Sequence, residues 1–400
     1  MTHFNPLCFL NIAVFLRGQV FLLPVLYVFY QQNGLSLSDF FFFQGIVTCV
    51  SLLFYIPAGY LADLFSKKRI LILSMLFALT RSLLWLYFSG YWIVLIGEIS
   101  YALSKSFFSG IVDSYMCDYL KTQNQQYKMT KKYGKLNFFM SLSSAISALI
   151  GPLFLIHFPL KFLVFLDALF ILFSIACLFR LPEVPIFNKN KQSLFSHYLQ
   201  IFFVLRRIIH QDLWRVILYS GLFTATTILL VWCFQPLMLC SLIPIVWFGV
   251  ISFCNHLSRS VFSLYIQKIT NYLPLQKLKK WTCTFFITSI IGLSWAFYLK
   301  NIYISVIMLL IVCFVTGLQL AYTVTSVSYV HAEIKSENRS LISSINFMIA
   351  ALLSSVILLA IKQSLYFTTI DYALLGYAVF FAISVFAIHK IPKGTLKNHS

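Results

Sequence analysis

Long apolar runs separated by short polar stretches dominate this chain. Each run has about 20 residues and few charges, which is the length of an α-helix that crosses a bilayer. Turn-forming pairs such as Asn33-Gly34 and Ser89-Gly90 fall between the runs. The pattern predicts an all-α integral membrane protein. The twelve predicted spans lie at residues 7–30, 39–62, 70–88, 92–116, 134–156, 161–181, 213–239, 244–266, 281–299, 302–330, 340–361 and 370–389.

Lys and Arg are distributed very unevenly over the loops between these spans. With the N-terminus placed inside, 23 of the 30 Lys and Arg residues fall in inner loops, and only Lys161, Lys300 and Lys362 fall in outer loops. Loops that stay in the cytoplasm carry an excess of positive side chains. We therefore expect both termini to be cytoplasmic and the protein to be a multi-pass protein of the inner (cytoplasmic) cell membrane.

The longest polar interval, residues 182–212, divides the spans six and six. It begins with LPEVPIFNKNKQ and continues with bulky apolar residues mixed with Arg206, Arg207 and His210. That mixture is typical of an amphipathic helix on a membrane surface. The predicted organisation is a first six-helix bundle at 1–181, a cytoplasmic linker at 182–212, and a second six-helix bundle with a short basic tail at 213–400.

Composition agrees with a membrane environment. The 400 residues are 60% hydrophobic and 10% charged, and a soluble domain of this kind would expose large apolar patches. The formal net charge of +19 does not indicate a nucleic-acid partner, because the bases follow membrane topology. The 9 cysteines are scattered without a CxxC pair, so we expect no metal site and no cofactor. The first apolar run is too long for a cleavable signal and is expected to be the first span.

The loop between the second and third spans carries the most specific pattern in the chain. It reads GYLADLFSKKRI. This order of glycine, acid and bases resembles the corresponding loop of the major facilitator superfamily of transporters, although Leu64 stands where a base is usual. An ordinary charged turn of another polytopic protein is the alternative. The residues that match are Gly59, Leu61, Ala62, Asp63, Phe65, Ser66, Lys67 and Lys68.

The resemblance implies two pseudo-symmetric six-helix bundles that give alternating access to a site near the bilayer midplane. It implies that Asp63, Lys67 and Asp113 form a charge cluster that latches the inner side, with simple solvation of Asp113 as the alternative. A second similarity, at Glu337 and Arg339 before the eleventh span, implies capping and closure. Separately, we expect the loop glycine to let two helices approach closely.

Two further patterns are similar to the bacterial drug- and metabolite-efflux branch of that superfamily. One is Ser109-Gly110 followed by Asp113 and then by Asp118 and Leu120, a pattern of many bacterial facilitator proteins. The other is Gly151-Pro152 in the fifth span, which ends a longer glycine-rich signature of drug–proton antiporters. Ser and Ala replace the other glycines here, so a proline kink on a small-residue face is an adequate structural explanation of this pair.

Ionisable side chains inside the spans are costly and therefore candidates for function. Arg81 lies nine residues before Gly90, and Glu98 lies eight residues after it. At a helical rise of about 1.5 Å per residue, the two side chains reach matching depth in a hairpin. We predict that Arg81 and Glu98 form an ion pair, either as a structural feature or as part of proton coupling.

Three bases lie at a common depth in the inner half of the membrane when counted from their outer turns. They are Arg17, Lys105 and Arg259, and His256 lies one helical turn from Arg259. If these side chains face the pathway, they form a cationic level that favours an anionic or zwitterionic substrate. The alternative is that the long basic side chains snorkel to the inner surface.

Proton coupling requires a group that titrates near neutral pH. Glu98 in a desolvated site and His256 are the first candidates, with Asp167 as a reserve. Aromatic and polar side chains near the helix ends are candidate substrate contacts, or else interfacial anchors. Those we assign to substrate binding are Tyr101, Trp232, Gln235 and Tyr322.

The combined prediction is a secondary active transporter of a small organic solute, driven by a proton or other ion gradient. No GxxxxGK[ST] loop is present, so we expect no direct use of ATP. A multidrug or hydrophobic-compound exporter is the alternative within the class, and the direction of transport stays open. A polytopic enzyme, a receptor or an assembly protein without transport are the alternatives outside it. The expected partners are the lipid bilayer and a small-molecule substrate, with the protein itself a monomer.

Overall fold

The computed structural model describes residues 6–125, 129–184, 213–265, 273–333 and 339–388, and these ranges are almost entirely helical. A short 3₁₀ turn, Leu23–Val25, separates the first two α-helices. The α-helices are α1 (Pro6–Gly18), α2 (Leu26–Gln32), α3 (Leu37–Leu64), α4 (Lys67–Tyr87), α5 (Tyr91–Phe108), α6 (Ile111–Thr122), α7 (Met129–Phe154), α8 (Leu160–Phe179), α9 (Trp214–Trp232), α10 (Phe234–Cys240), α11 (Val246–Leu264), α12 (Leu275–Leu299), α13 (Ile302–Glu333), α14 (Arg339–Ser364) and α15 (Ile370–Ala387).

Nine segments within the described ranges are long and apolar enough to cross a membrane. They coincide with nine of the twelve predicted spans. The other three predicted spans, 92–116, 134–156 and 244–266, are also helical but fall short in length or hydropathy. A multi-pass helical membrane protein is therefore established, while twelve crossings and cytoplasmic termini stay predictions. Inner and outer refer below to the predicted cytoplasmic and external sides.

The helices pack as two halves that share most of their internal contacts. In the first half α1 contacts α7 and α8, α3 contacts α5, and α4 contacts α5 and α8. In the second half α9 contacts α13 and α14, α11 contacts α13, and α12 contacts α13 and α15. The halves meet along α3 with α14 and along α7 with α11. At each seam the second membrane segment of one half packs against the fifth segment of the other half, as expected for two pseudo-equivalent bundles.

Small residues allow the helices to approach closely at both seams. On α11, a Cβ added to Gly249 would lie 2.6 Å from the carbonyl oxygen of Ala148 on α7. On α3, a Cβ added to Gly45 would lie 3.1 Å from the Leu359 side chain of α14. Such contacts replace the missing hydrophobic driving force between helices in lipid. By contrast, a Cβ on Gly59 would meet none of the described atoms within 4 Å, so the predicted close approach at that glycine is wrong for the part of the chain that the structure describes.

The first membrane segment is interrupted between α1 and α2, and side chains of two other helices satisfy the freed backbone groups. The amide of Phe21 donates to Oδ1 of Asp167 on α8 at 2.7 Å. The amide of Val20 donates to Oγ of Ser147 on α7 at 3.1 Å, and the Ser144 hydroxyl donates to the Gly18 carbonyl at 3.2 Å. Unpaired backbone groups cost several kcal/mol in a membrane interior, so these contacts make the break possible.

The outer ends of the two halves are joined by polar and aromatic contacts. Gln235 on α10 accepts a hydrogen bond from the Tyr27 amide at 2.7 Å. Its amide nitrogen donates to the Leu23 carbonyl at 2.9 Å. The ring of Phe40 on α3 meets Trp232 on α9 edge-on at 5.5 Å. The structure is therefore held together across its outer side by the first and seventh segments.

The predicted linker, residues 182–212, is described only at its start. The carbonyl of Pro182 accepts a hydrogen bond from the Tyr115 hydroxyl at 2.8 Å, which fixes the chain as it leaves the first half. The predicted amphipathic helix, with Arg206, Arg207 and His210, lies outside the described residues.

Candidate functional site

Arg17 and Lys105 lie together inside the first half. Arg17 occupies the last turn of α1, and its guanidinium lies 4.4 Å from the ring centre of Phe108 on α5. Lys105 is one turn before Phe108 and is close enough to Arg17 for the two positive charges to repel. Both side chains are half-buried. Two cations held together away from bulk water favour a negatively charged group between them or beside them.

These cations have no acidic partner in the part of the chain that the structure describes. The ion pairs there join Lys67 and Lys121 to Asp118, Arg69 to Glu183, and Arg81 to Glu98. Arg17 and Lys105 are in none of them. Because a charge within the membrane is costly unless it is paired or hydrated, an anion in this region would be stabilised by both side chains.

The second half contributes His256 and Arg259, which lie on α11 and interact electrostatically with each other. Both are half-buried. The neighbouring Asn255 is buried and accepts a hydrogen bond from the Thr316 hydroxyl of α13 at 2.7 Å. The four basic side chains thus lie as two pairs, one in each half, and their common depth in the pathway stays a prediction.

Arg81 and Glu98 are both buried between α4 and α5, and the two groups that the sequence predicts to pair do lie together. Nη2 of Arg81 is 3.9 Å from Oε1 of Glu98. The Tyr30 hydroxyl donates to that same carboxylate oxygen at 2.6 Å. The Arg81 guanidinium is also enclosed by two aromatic rings, Trp85 at 4.1 Å and Tyr101 at 4.3 Å. Glu98 is therefore held by a hydrogen bond, a cation and apolar walls at once.

A small cavity connects these groups to the break in the first segment. It has a volume of about 30 Å³, which is enough for one water molecule. Arg17, Gln19, Arg81 and Asp167 all contribute to its wall. The Gln19 side-chain oxygen is buried and has no hydrogen-bond partner among the described residues. A water in this cavity would supply the missing hydrogen-bond donor to Gln19.

Three residues assigned to substrate binding make other contacts in this conformation. Tyr322 is 0% exposed and packs edge-on against Phe223 at 4.8 Å, inside the core of the second half. The ring is therefore enclosed in this conformation, and its assignment to substrate contact stays a prediction. The Gln235 side chain makes the outer hydrogen bonds with the first segment, and the Trp232 ring packs against Phe40.

The inner charge cluster differs in one partner from the expected set. Lys67 pairs with Asp118 rather than with Asp113. Lys121 lies 3.9 Å from the other oxygen of Asp118, and Lys68 donates to the Phe179 carbonyl at 2.9 Å. The side chains of Asp63, Glu337 and Arg339 lie outside the described residues.

The outer contact made by Gln235 yields a direct prediction. In Gln235→Leu the two hydrogen bonds to the first segment are lost, each worth about 1 kcal/mol. We expect about thirtyfold faster labelling of the fully buried Cys233 by a membrane-impermeant maleimide, measured with the other cysteines replaced by Ser. The matched variant Gln363→Leu, at an exposed position, should label at the wild-type rate. Equal rates in all three proteins would contradict a closing role for Gln235.

Comparison with known proteins gives the family. A sequence profile described as Major Facilitator Superfamily matches residues 7–359. The chain belongs to the Major Facilitator Superfamily. No curated protein sequence matches it significantly. The fold and family together identify a secondary transporter and not an enzyme.

Solved structures with a similar fold are transporters. A point mutant of the nucleoside transporter NupG superposes with a TM-score of 0.77 at 14% identity, covering 96% of this chain and 100% of that one. A D-xylose-proton symporter gives 0.74 at 11% identity, covering 96% and 97%. A bacterial homologue of the lysosomal transporter Spinster, inward-facing and unoccupied, gives 0.70 at 12% identity, covering 96% and 95%. At these identities the likeness concerns the fold alone.

Several polar residues of this superfamily member were not recognised from the sequence. Gln19, Ser144 and Ser147 surround the break in the first segment, and Asn255 with Thr316 links α11 to α13. Each is an uncharged polar residue inside an apolar run. That signal is weak, because Ser and Thr can bond to their own helix without affecting anything else.

Proposed function

We propose that this transporter carries an anionic or zwitterionic organic solute, and that transport is coupled to protons. The observation that carries the first part is the half-buried Arg17–Lys105 pair, which has no carboxylate partner among the described residues. A carboxylate or phosphate on the solute would supply the missing counter-charge by charge-assisted hydrogen bonds. His256 and Arg259 extend the same character into the second half.

Glu98 is the proposed coupling group. It is 1% exposed, contacts Arg81 and Tyr30, and is in the same half as the cations. A carboxylate buried beside a cation gains or loses its proton when the surrounding contacts change, as the alternating-access cycle requires. Asp167 is a less favoured candidate, because its carboxylate holds the backbone of the first segment, and His256 remains a second site to test.

The proposal is tested first by finding the solute. Purified protein is screened for thermal stabilisation by carboxylates, sugar phosphates, amino acids, nucleosides and organic cations, and the stabilising compounds are assayed for flux in proteoliposomes. We expect carboxylates or phosphates to stabilise the protein and to accumulate when a pH gradient is imposed. Stabilisation and flux of organic cations alone, with carboxylates ignored, would refute the anionic substrate.

Coupling is tested separately with Glu98→Gln and His256→Ala. In the first variant we expect uphill accumulation to be lost, while exchange of the solute at equal concentrations on both sides continues. That split is expected because a neutral amide still occupies the site but cannot carry a proton. If both variants keep full uphill transport, coupling through these residues is excluded while the transport function stands.

A further inference from the structure

An open groove lies between the inner ends of α1 and α7, away from the cation pairs. Its volume is about 440 Å³. Apolar walls come from Ile12, Phe15 and Phe139, with Asn11 as a polar group, and two cations, Lys132 and Lys135, lie toward the start of α7. The superfamily function described above makes no use of this groove.

The α1 side of the groove faces the membrane and not the transport pathway. Cys8 lines the groove and is nine residues, or two and a half turns, from Arg17, so the two side chains point to opposite sides of α1. Arg17 points to α5 inside the half, over Phe108. Cys8 and Ile12 are both exposed, with Ile12 at 41%. An apolar side chain exposed on the outside of a membrane helix contacts lipid.

The α7 side gives the same result independently. Lys135 lies three residues before Phe138 and seven before Leu142, so the three share one side of the helix. Phe138 is 60% exposed and Leu142 37% exposed. Lys135 is itself exposed, and its ammonium lies 5.5 Å from the ring centre of Phe139. The two lysines thus stand at the mouth of an apolar, lipid-facing groove.

The depth of the groove matches one leaflet. The Ser143 hydroxyl donates to the Phe15 carbonyl, so these residues lie at one level, and Phe139 is one turn closer to the start of α7. Lys135 and Lys132 follow one and two turns closer still. The apolar floor therefore lies toward the membrane centre, and the two cations lie toward the predicted inner surface.

We propose that this groove binds an anionic phospholipid of the inner leaflet. The headgroup phosphate contacts Lys132 and Lys135, and an acyl chain lies against Ile12, Phe15 and Phe139. No acidic side chain is present among the described residues that line the groove, so its charge complements an anion without competition. The bound lipid would pack α1 against α7 beside the break in the first segment.

The test is native mass spectrometry of delipidated protein with phosphatidylglycerol, phosphatidylcholine or glycerol phosphate. We expect one phosphatidylglycerol molecule to be retained in preference to phosphatidylcholine, and glycerol phosphate not to be retained, because the groove also requires the acyl chain. The attraction of a lysine near an anionic surface is worth roughly fivefold in binding. In Lys132→Gln/Lys135→Gln we therefore expect preferential retention to fall about 25-fold.

Two further variants make the outcome decisive. Lys132→Arg/Lys135→Arg keeps the charge and should keep the lipid. Lys277→Gln/Lys280→Gln removes two exposed lysines from the start of α12 and should retain phosphatidylglycerol like the wild type. Equal retention of both phospholipids by the wild type would overturn the proposal, as would equal loss in the two glutamine variants. A lipid-free dimer that covers the groove would also overturn it.

Discussion

Replacing Arg17 or Lys105 with Gln is expected to weaken binding of the proposed anionic solute roughly ten- to hundredfold, the value of a charge-assisted hydrogen bond of about 1.5–3 kcal/mol. Both side chains are half-buried, and they lie in no ion pair of the described residues. Their removal therefore leaves no acid unpaired, and the fold should survive. The measurement is the concentration dependence of uptake in proteoliposomes, using the solute found in the stabilisation screen.

The controls separate charge at the site from charge on the protein. Lys280→Gln removes one exposed positive charge from the inner side and should leave uptake unchanged. Arg17→Lys keeps the charge but loses the planar fork of donors, so we expect an intermediate loss. Wild-type uptake in both Arg17→Gln and Lys105→Gln would disprove an anion site at this position, without affecting membership in the superfamily.

Replacing Glu98 alone with Leu is expected to destabilise the protein by about 3–5 kcal/mol, the cost of leaving one member of a buried ion pair without its partner. Arg81 would remain 6% exposed, between Trp85 and Tyr101. The measurement is the thermal unfolding temperature in detergent.

The double variant Arg81→Leu/Glu98→Leu is expected to be more stable than Glu98→Leu, because no charge is then left alone. Glu183→Leu is the matched surface control. Its partner Arg69 is 70% exposed on the side chain, and an exposed pair contributes about 0–1 kcal/mol. If the double variant is no more stable than Glu98→Leu, the pairing of Arg81 with Glu98 does not govern stability.

The depth argument from the sequence placed Arg81 near Glu98, because helical rise fixes how deep a residue lies once the turn is known. It did not identify the third member, Tyr30, which belongs to a helix outside that hairpin. Depth along a helix is a local property of the chain. Which other helix lies alongside is decided by packing of the whole bundle.

Lys67 pairs with Asp118 and not with the expected Asp113, and the order of residues along the chain does not show which acid faces the lysine. The sequence predicts the fourth span as one helix, but the structure divides it into α5 and α6 by a turn at Gly110, which has a φ of +78°. That turn reorients α6. Asp113 and Asp118 are five residues apart, about 140° around the helix, so only one of them faces Lys67. The sequence showed two acids without showing the turn that selects between them.

Tyr322 and Gln235 illustrate the same limit for candidate contacts. Both are polar-tipped residues in apolar runs, and such residues suit either a binding site or a packed interior. The structure encloses the Tyr322 ring in the second half and uses Gln235 to hold the first segment. A sequence gives the position of a side chain along its helix, whereas its surroundings depend on helix rotation.

The sequence by itself determined that this is a multi-pass helical membrane protein, and the polar linker that it predicts between two halves stays a prediction. The reason is that a helix must be long and apolar to cross lipid, and the lengths of the apolar runs and their flanking charges can be read directly from the sequence. The loop after the second span also sufficed to suggest the superfamily. Only the tertiary structure decided the break in the first segment, the Gln235 contacts across the outer side and the grouping of Arg17 with Lys105. Those features depend on which helices become neighbours and how each is rotated, and residues far apart in the chain contribute to all of them.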